Sequence, residues 1–418
     1  MEKTVKYIVI GAGVSGLSFI NFLNDKNYII LEKDSTPGGF CKTTYKNGFV
    51  WDYSGHFFHF KTDEIKKFFL EKMDQSELTY NNKNTKIRIK DKLIDYPFQK
   101  NIHQLDKEDF IECLYELYFR DQGIKTDSFK SMLYSKFGKG ITDMFLKPYN
   151  EKLYACDLES LDSNAMGRFF PYASVDDIIS NFKQNNNSSY NDTFMYHKKG
   201  AFAFIQALLT EVDESKIIYN SKVVKVDKEE KKVYLQNGDI YAYEYLICTS
   251  SFVDTLNMID SEQKEFLTYN KVGVYNLGFD SAPENKDIHW IYFPEEKYIF
   301  YRVGFYNNIL GDERMSLYVE IGHDSKYLGT DDLNRVLNDL RTAGIVKNQK
   351  LIDYEYISMS PAYVHINKLS TEFVNYKKTE YENKNIFILG RYGKWEYSSI
   401  EDAVLYAKDI ATQIGKRK

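Results

Sequence analysis

An apolar run, Tyr7 to Ile10, passes straight into Gly11-Ala12-Gly13-Val14-Ser15-Gly16 and then into the helix-like stretch Leu17 to Leu23. A strand that turns on three glycines into a helix leaves a chain few alternatives. Gly11 permits the tight turn and Gly13 leaves room for a pyrophosphate against the backbone. Gly16 lets the helix pack close on the strand, with the helix N-terminus facing the phosphates. The next apolar run, YIILE, ends in Glu32 about 20 residues on, where an acid grips a ribose hydroxyl. A glycine turn alone also serves ordinary loops. Set between two strands and completed by Glu32, this one reads as a dinucleotide site opening an α/β fold.

Directly after the ribose acid, KDSTPGGFCKT carries Pro37, Gly38 and Gly39. A second glycine turn there suits a cofactor whose extended body runs on past its diphosphate, which favours FAD over NAD. Together the two turns resemble the FAD-binding segment of the large flavoprotein group that includes amine oxidases, protoporphyrinogen oxidases and UDP-galactopyranose mutases.

The chain has 418 residues, 43% of them hydrophobic, enough for two or three domains at typical sizes of roughly 100 to 200 residues. Lys and Arg total 55 against 60 Asp and Glu, a formal charge of −5 that offers no electrostatic footprint for nucleic acid. Cys41, Cys113, Cys156 and Cys248 lack metal-like spacing and fit reduced thiols, so no metal site is expected. The apolar N-terminus is broken by three glycines and Asn21, which reads as strand, turn and helix rather than a leader or membrane span. A cytoplasmic protein without membrane insertion is the expectation.

Periodicity divides the rest. KIRIKDKLIDYP reads as a hairpin, and apolar positions recur at helical spacing from about His103 to Phe170. KIIYNSKVVKVDKEEKKVYLQNGDI has meander character, and VGVYNLGF, HWIYFP, YIFYRVGFY and MSLYVEI imply an antiparallel sheet. With these periodicities, the flavoprotein resemblance implies a discontinuous FAD-binding, glutathione-reductase-like α/β domain over 1–85, 196–255 and 370–418. A helical domain is inserted over 100–195, and an antiparallel-sheet substrate domain takes 86–99 and 256–369.

The final segment narrows the family. NIFIL delivers Gly390-Arg391 to a turn before an amphipathic helix, and GRYGKWEY is similar to the closing flavin motif of UDP-galactopyranose mutases. The resemblance extends over YPFQKNI, KPYNEKLYA, NDTFMYHKKGAF and IYFPEEKYIFYR, nearer the eukaryotic-type branch than the usual bacterial one. It implies interconversion of pyranose and furanose forms of a sugar nucleotide, by nucleophilic attack of reduced FAD on the anomeric carbon without net redox change. The default pair is UDP-galactopyranose and UDP-galactofuranose, with NADPH or NADH as reductant. The same chemistry on another UDP- or dTDP-hexose is one alternative. An FAD-dependent oxidase or desaturase of the amine oxidase type is another, and a flavin-fold binding protein without catalysis a third.

By the same resemblance, Arg302 and Arg168 hold the diphosphate with Tyr363 and Tyr397, and Tyr292, in the same motif as Arg302, binds substrate; Tyr96, Phe98 and Gln99 contact uridine; Asn150 and Tyr154 contact the sugar, and Asn191 the substrate. Gly390, Arg391 and Val224 join Gly11, Gly13, Gly16, Glu32, Gly38 and Gly39 at the cofactor. In FVWDYSGHFFHF, the Ser54-Gly55 pair matches the family's Gly-Gly-His loop, and is expected to free His56 to exchange hydrogen bonds with the flavin. Tyr154 stands where the family has tryptophan, and Arg168 follows Gly167 one residue too soon.

Overall fold

The structure, a computed structural model, describes residues 3–183, 187, 192–326 and 332–416. The strand Lys3–Ile10 lies at the centre of a seven-stranded sheet, paired in parallel with Tyr28–Leu31 on one side and Ile240–Cys248 on the other. Strand Ile240–Cys248 is long enough to take two neighbours along its far edge. Lys232–Leu235 pairs antiparallel with its first half, and Ile386–Ile388 pairs parallel with its end. The consequence is that Ile10, Leu31, Cys248 and Ile388 all end at one rim, so the residues that follow them meet there. The helices Val14–Phe22 and Ile400–Lys416 cover one face, burying Leu17 and Ile20 with Val404, Ala407 and Ala411. Each such large aliphatic side chain stabilises the layer by about 1.5–3 kcal/mol.

A second seven-stranded sheet runs in the order Leu351–Met359, Asn270–Phe279, Ser316–Asp324, Arg302–Phe305, Trp290–Tyr292, Thr85–Ile89, Lys92–Asp95. Its neighbours are antiparallel except for one step: Trp290–Tyr292 pairs parallel with Thr85–Ile89. A uniformly antiparallel sheet was the expectation; the exception arises because the 85–95 hairpin arrives from far upstream and need not turn directly into its neighbour.

Between the two sheets' chain segments lie the helices Lys107–Tyr118, Phe129–Ile141 and Lys147–Tyr154. The first two touch backbone to backbone, since a Cβ on Gly138 would lie 2.2 Å from the Glu116 carbonyl oxygen and one on Gly140 2.8 Å from Cys113 Cα. Glycine at both positions permits that approach. All four cysteines are free thiols. Among the described residues no helix is long and apolar enough to cross a membrane.

Candidate active site

The shared rim of the first sheet opens into a cavity of about 1170 Å³ that continues across the face of the second. Gly11, Gly13, Glu32, Gly38, Gly39 and Val224 line one end, Gly390 and Arg391 the middle, and His56, Tyr96, Tyr292, Arg302, Tyr363 and Tyr397 the other. Drug-sized ligands occupy roughly 300–1,000 Å³. This cavity has room for an extended dinucleotide and a second ligand.

Three glycines at the first end do different work. A Cβ on Gly16 would sit 2.1 Å from the Gly11 carbonyl oxygen, so that position serves helix-on-strand packing. Gly11 has φ +101, which glycine adopts without strain. A Cβ on Gly13 would meet nothing of the protein closer than 3.8 Å, at Gly39 Cα. The space beside Gly13 is therefore kept open by the chain, as a cradle for a ligand. Gly13 caps the Val14–Phe22 helix with no side-chain hydrogen bond, leaving its first amides to a phosphate. The second glycine turn folds onto the first through a Gly38 N–H to Ala12 carbonyl bond of 2.9 Å. Glu32 is buried at the strand end, its carboxylate accepting from the Ala12 amide at 2.7 Å and the Asp34 amide at 2.9 Å. These residues fit FAD: open cradle, uncapped amides and a fixed ribose-side acid lie in one row.

The other end is built on strand register. Tyr292 stands directly opposite Arg302, and Arg302 directly opposite Glu320, so the three form a row across adjacent strands. Two residues along, Trp290, Gly304 and Tyr318 form the next row on the same face, and Gly304 is needed because a Cβ there would lie 1.9 Å from the Tyr318 ring. The Arg302 guanidinium pairs with Glu320 through Nε to Oε2 and, at 2.6 Å, Nη2 to Oε1. The Ser54 hydroxyl donates to the same carboxylate. Facing this row, Arg391 places its guanidinium 4.3 Å from the Tyr397 ring centre and 5.3 Å from that of Tyr363, and donates to the Ser398 carbonyl at 3.0 Å. Burial holds the Tyr96, Tyr149 and Tyr363 hydroxyls well above the usual phenol range, so they stay protonated donors.

His56 lines the cavity, and its Nδ1 is buried with no hydrogen-bond partner. Burial pulls the imidazole down to about 4, with Glu320 opposing and Arg391 and Arg302 reinforcing. The ring is neutral at pH 7, and its orphan nitrogen is available to a ligand. The loop before it is less free than expected. Ser54, at φ +93, is tied to Glu320, while a Cβ on Gly55 would come within 2.8 Å of Phe57 and the Tyr318 hydroxyl.

Other expected positions fall differently. Asn150 lines the cavity, donating to the Leu146 carbonyl at 2.6 Å and leaving Oδ1 buried without a partner. Phe98, Gln99 and Tyr154 are buried behind the wall. Phe98 packs on Phe145, Gln99 donates to the Pro171 carbonyl, and Tyr154 meets Tyr363 edge-on with ring centres 5.7 Å apart. Arg168 stands outside the cavity wall with its side chain 41% exposed, bound to Asp402 at 2.6 and 2.7 Å. Its neighbour Phe169 reaches the cavity instead. Asn191 lies outside the described residues. Sequence reasoning missed Glu320, Tyr149 and Trp290; the one acid in the apolar strand MSLYVEI was the available signal for the first.

Residues 9–71 match the model of an NAD(P)-binding Rossmann-like domain. Over 99% of this chain and 94% of the other, the fold superposes on reduced UDP-galactopyranose mutase with a TM-score of 0.91 at 22% identity. A protein assigned as a protoporphyrinogen oxidase from Exiguobacterium follows at a TM-score of 0.77 and 14% identity, each chain covered fully. A putrescine oxidase variant matches at 0.65 and 12% identity over 99% of both chains. The chain thus has the fold of these structures, with a dinucleotide-binding Rossmann-like domain.

Proposed function

We propose that the protein is a flavin-dependent sugar-nucleotide mutase of the UDP-galactopyranose mutase family, interconverting pyranose and furanose forms of a UDP-hexose, with UDP-galactopyranose as the default substrate. The observation that carries the reading is the continuity of one cavity from the Gly13 cradle to the row Tyr292–Arg302 faced by Tyr363, Tyr397 and Arg391. A diphosphate that must leave an anomeric carbon and return to it needs cations and neutral donors placed around its oxygens.

The chain's own residues supply that environment. Glu320 occupies Nε and one face of Nη2 on Arg302, so the remaining N–H groups at Nη1 receive the phosphates while the net charge of the pair stays low. A ligand held this way is gripped by hydrogen bonds rather than by an excess of charge, and can move between states. Tyr363 and Tyr397, with ring centres 5.8 Å apart, present hydroxyl donors from the opposite side. Tyr96 and Tyr292, 5.4 Å apart, offer an aromatic platform for the base, and Asn150 Oδ1 an acceptor for a sugar hydroxyl. Gly11, Gly13, Glu32, Gly38, Gly39 and Val224 would hold FAD, with Gly16 seating the helix behind them, and FAD supplies, when reduced, a nucleophile for the anomeric carbon. His56 Nδ1 would hold or release a proton-bearing contact at the ring edge, and the surrounding Phe57, Trp290 and Tyr149 exclude water. NADPH or NADH is the proposed reductant.

The test is to reduce the protein, supply a panel of UDP- and dTDP-hexoses, and look for ring-contracted products. Substrate-dependent oxygen consumption with no such product would replace the mutase by an oxidase of the amine oxidase kind.

A further inference from the structure

The nine residues 293–301 join Trp290–Tyr292 to Arg302–Phe305, so the segment begins beside Tyr292 and ends at Arg302. It is a long, aromatic-rich connection whose backbone is mostly not satisfied within itself. Phe293 N–H bonds the Tyr301 carbonyl at 2.9 Å and Tyr298 N–H the Glu295 carbonyl at 3.3 Å, while Ile299 N–H reaches Asp339 Oδ2 at 2.8 Å. Four of its carbonyls converge on one atom. Lys152 Nζ donates to the carbonyl oxygens of Phe293, Glu295, Tyr298 and Phe300 at 2.9, 3.1, 2.8 and 2.6 Å. Buried carbonyls without donors are costly, and although burial pulls the Lys152 amine down to about 7, four carbonyls sharing the three N–H groups of an ammonium favour its charged form and make a built site with its occupant in the chain.

Lys152 belongs to the helix Lys147–Tyr154, which also carries Tyr149, one turn before Lys152, and Asn150 into the cavity. Tyr149 in turn touches Tyr292 and Tyr301, with ring centres 5.0 and 6.2 Å apart. The helix is itself seated on the sheet, since a Cβ on Gly322 would lie 2.0 Å from the Lys152 carbonyl oxygen. One helix therefore holds both ends of the connection, through Tyr149 against Tyr292 and Tyr301 and through the Lys152 side chain one turn on.

We infer that Lys152 is a positioning residue which, by organising the 293–301 backbone, sets where Tyr292 and Arg302 stand in the cavity; this rests on the reading of Arg302 as a diphosphate ligand. A misplacement of about 1 Å in such a group costs up to about a hundredfold in function. The ammonium acts at the loop and never touches the substrate. Lys152→Met keeps the stem and its packing while removing every donor.

In the holoprotein, Lys152→Met is expected to retain FAD, to lose hydrogen-exchange protection at the amides of Phe293, Tyr298, Ile299 and Tyr301, and to bind UDP roughly ten- to a hundredfold more weakly. In an Arg302→Ala background the same substitution should add little to the UDP penalty, because both changes act through one guanidinium. Should Lys152→Met fail to fold, Lys152→Arg keeps the charge in a planar fork that cannot aim at four converging carbonyls, and should give the same pattern in weaker form. Unchanged protection of 293–301 overturns the inference, as does a full UDP penalty that persists without Arg302. If the wild-type protein binds no UDP, the mutase reading fails by that result, and loss or retention of loop protection still decides for or against Lys152 as the organiser of the segment.

Discussion

Arg302 and Glu320 lie directly opposite each other on adjacent antiparallel strands, and Glu320 is buried to 1% exposure with the guanidinium as its counter-charge. The pair ties the arginine's guanidinium to the neighbouring strand. It also means that removing one partner strands the other. Arg302→Ala should destabilise the fold by about 3–5 kcal/mol, because a buried carboxylate is left uncompensated. Adding Glu320→Gln should recover much of that stability. UDP binding should be weakened in both variants but still measurable. Denaturant titration and UDP titration of the two proteins give the two readings, and intact UDP binding in either would remove Arg302 from the diphosphate site.

The glycines of the first turn predict a split outcome. Gly13→Val adds side-chain atoms where the protein leaves open space, so the variant should fold with near-normal stability and purify without FAD. Gly16→Val drives its Cβ into the Gly11 carbonyl and should lower stability by more than about 3 kcal/mol. Flavin absorbance and thermal melting separate the cases; a yellow Gly13→Val protein would mean that the cradle holds something other than a diphosphate.

What could be read from the sequence was what is encoded locally. The turn at Gly11 to Gly16 and the acid at Glu32 follow from spacing along one segment, and the structure sets both on the shared rim. The row Tyr292–Arg302–Glu320 was only half legible. Arg302 stands out in YIFYR, but that it faces Glu320 depends on the register between two strands, and a shift of one residue would turn every side chain to the other face. Gln99 shows the converse limit: a polar residue in a suggestive motif spends its amide on the Pro171 carbonyl, a partner 72 positions away. Arg168 likewise is paired with Asp402, 234 positions on, at the start of the helix Ile400–Lys416.

Glu401, the neighbour of that aspartate, accepts from the Lys61 and Thr62 amides at 2.8 Å each and from the Thr62 hydroxyl at 2.7 Å. It therefore ties the last helix to the segment after His59 and takes no place on the cavity wall. Glu401→Ala should cost about 1–3 kcal/mol by leaving those amides unpaired, with UDP affinity unchanged. A large loss of UDP binding at normal stability would instead put the acid in the site.

Acid stability offers a further check. The His56 imidazole is held at about 4 against an ordinary value near 6.5, so between those limits the unfolded chain binds the extra proton. Stability from keeping His56 neutral is present in full above pH 6.5 and is lost as pH falls toward 4. Asp52 runs the other way: burial raises its carboxyl to about 6, so the folded state takes up a proton first and gains relative stability on acidification. Comparing wild type with His56→Gln cancels Asp52. The variant should lose up to about 3 kcal/mol less between pH 7 and 4.5, a figure reduced by solvent in the cavity. Parallel stability curves for the two proteins would show that the ring is hydrated and titrates normally.

The prediction that separates mutase from oxidase concerns electron balance. If the reaction depends on a nucleophile that exists only in the reduced cofactor, oxidised protein should bind UDP-hexose and produce nothing. Dithionite or NADPH should then switch turnover on. Once reduced and kept from oxygen, the protein should complete many turnovers without drawing on further reductant, since an isomerisation leaves the substrate at the same oxidation level. Arg302→Ala and Tyr363→Phe should slow that turnover, by about a hundredfold and about tenfold, because a charged donor and a neutral one stabilise the leaving diphosphate to different degrees. His56→Ala should slow it while retaining FAD. Product counted against reductant consumed decides the matter: turnover by the oxidised protein, or one equivalent of oxidant or reductant per product, is incompatible with a mutase.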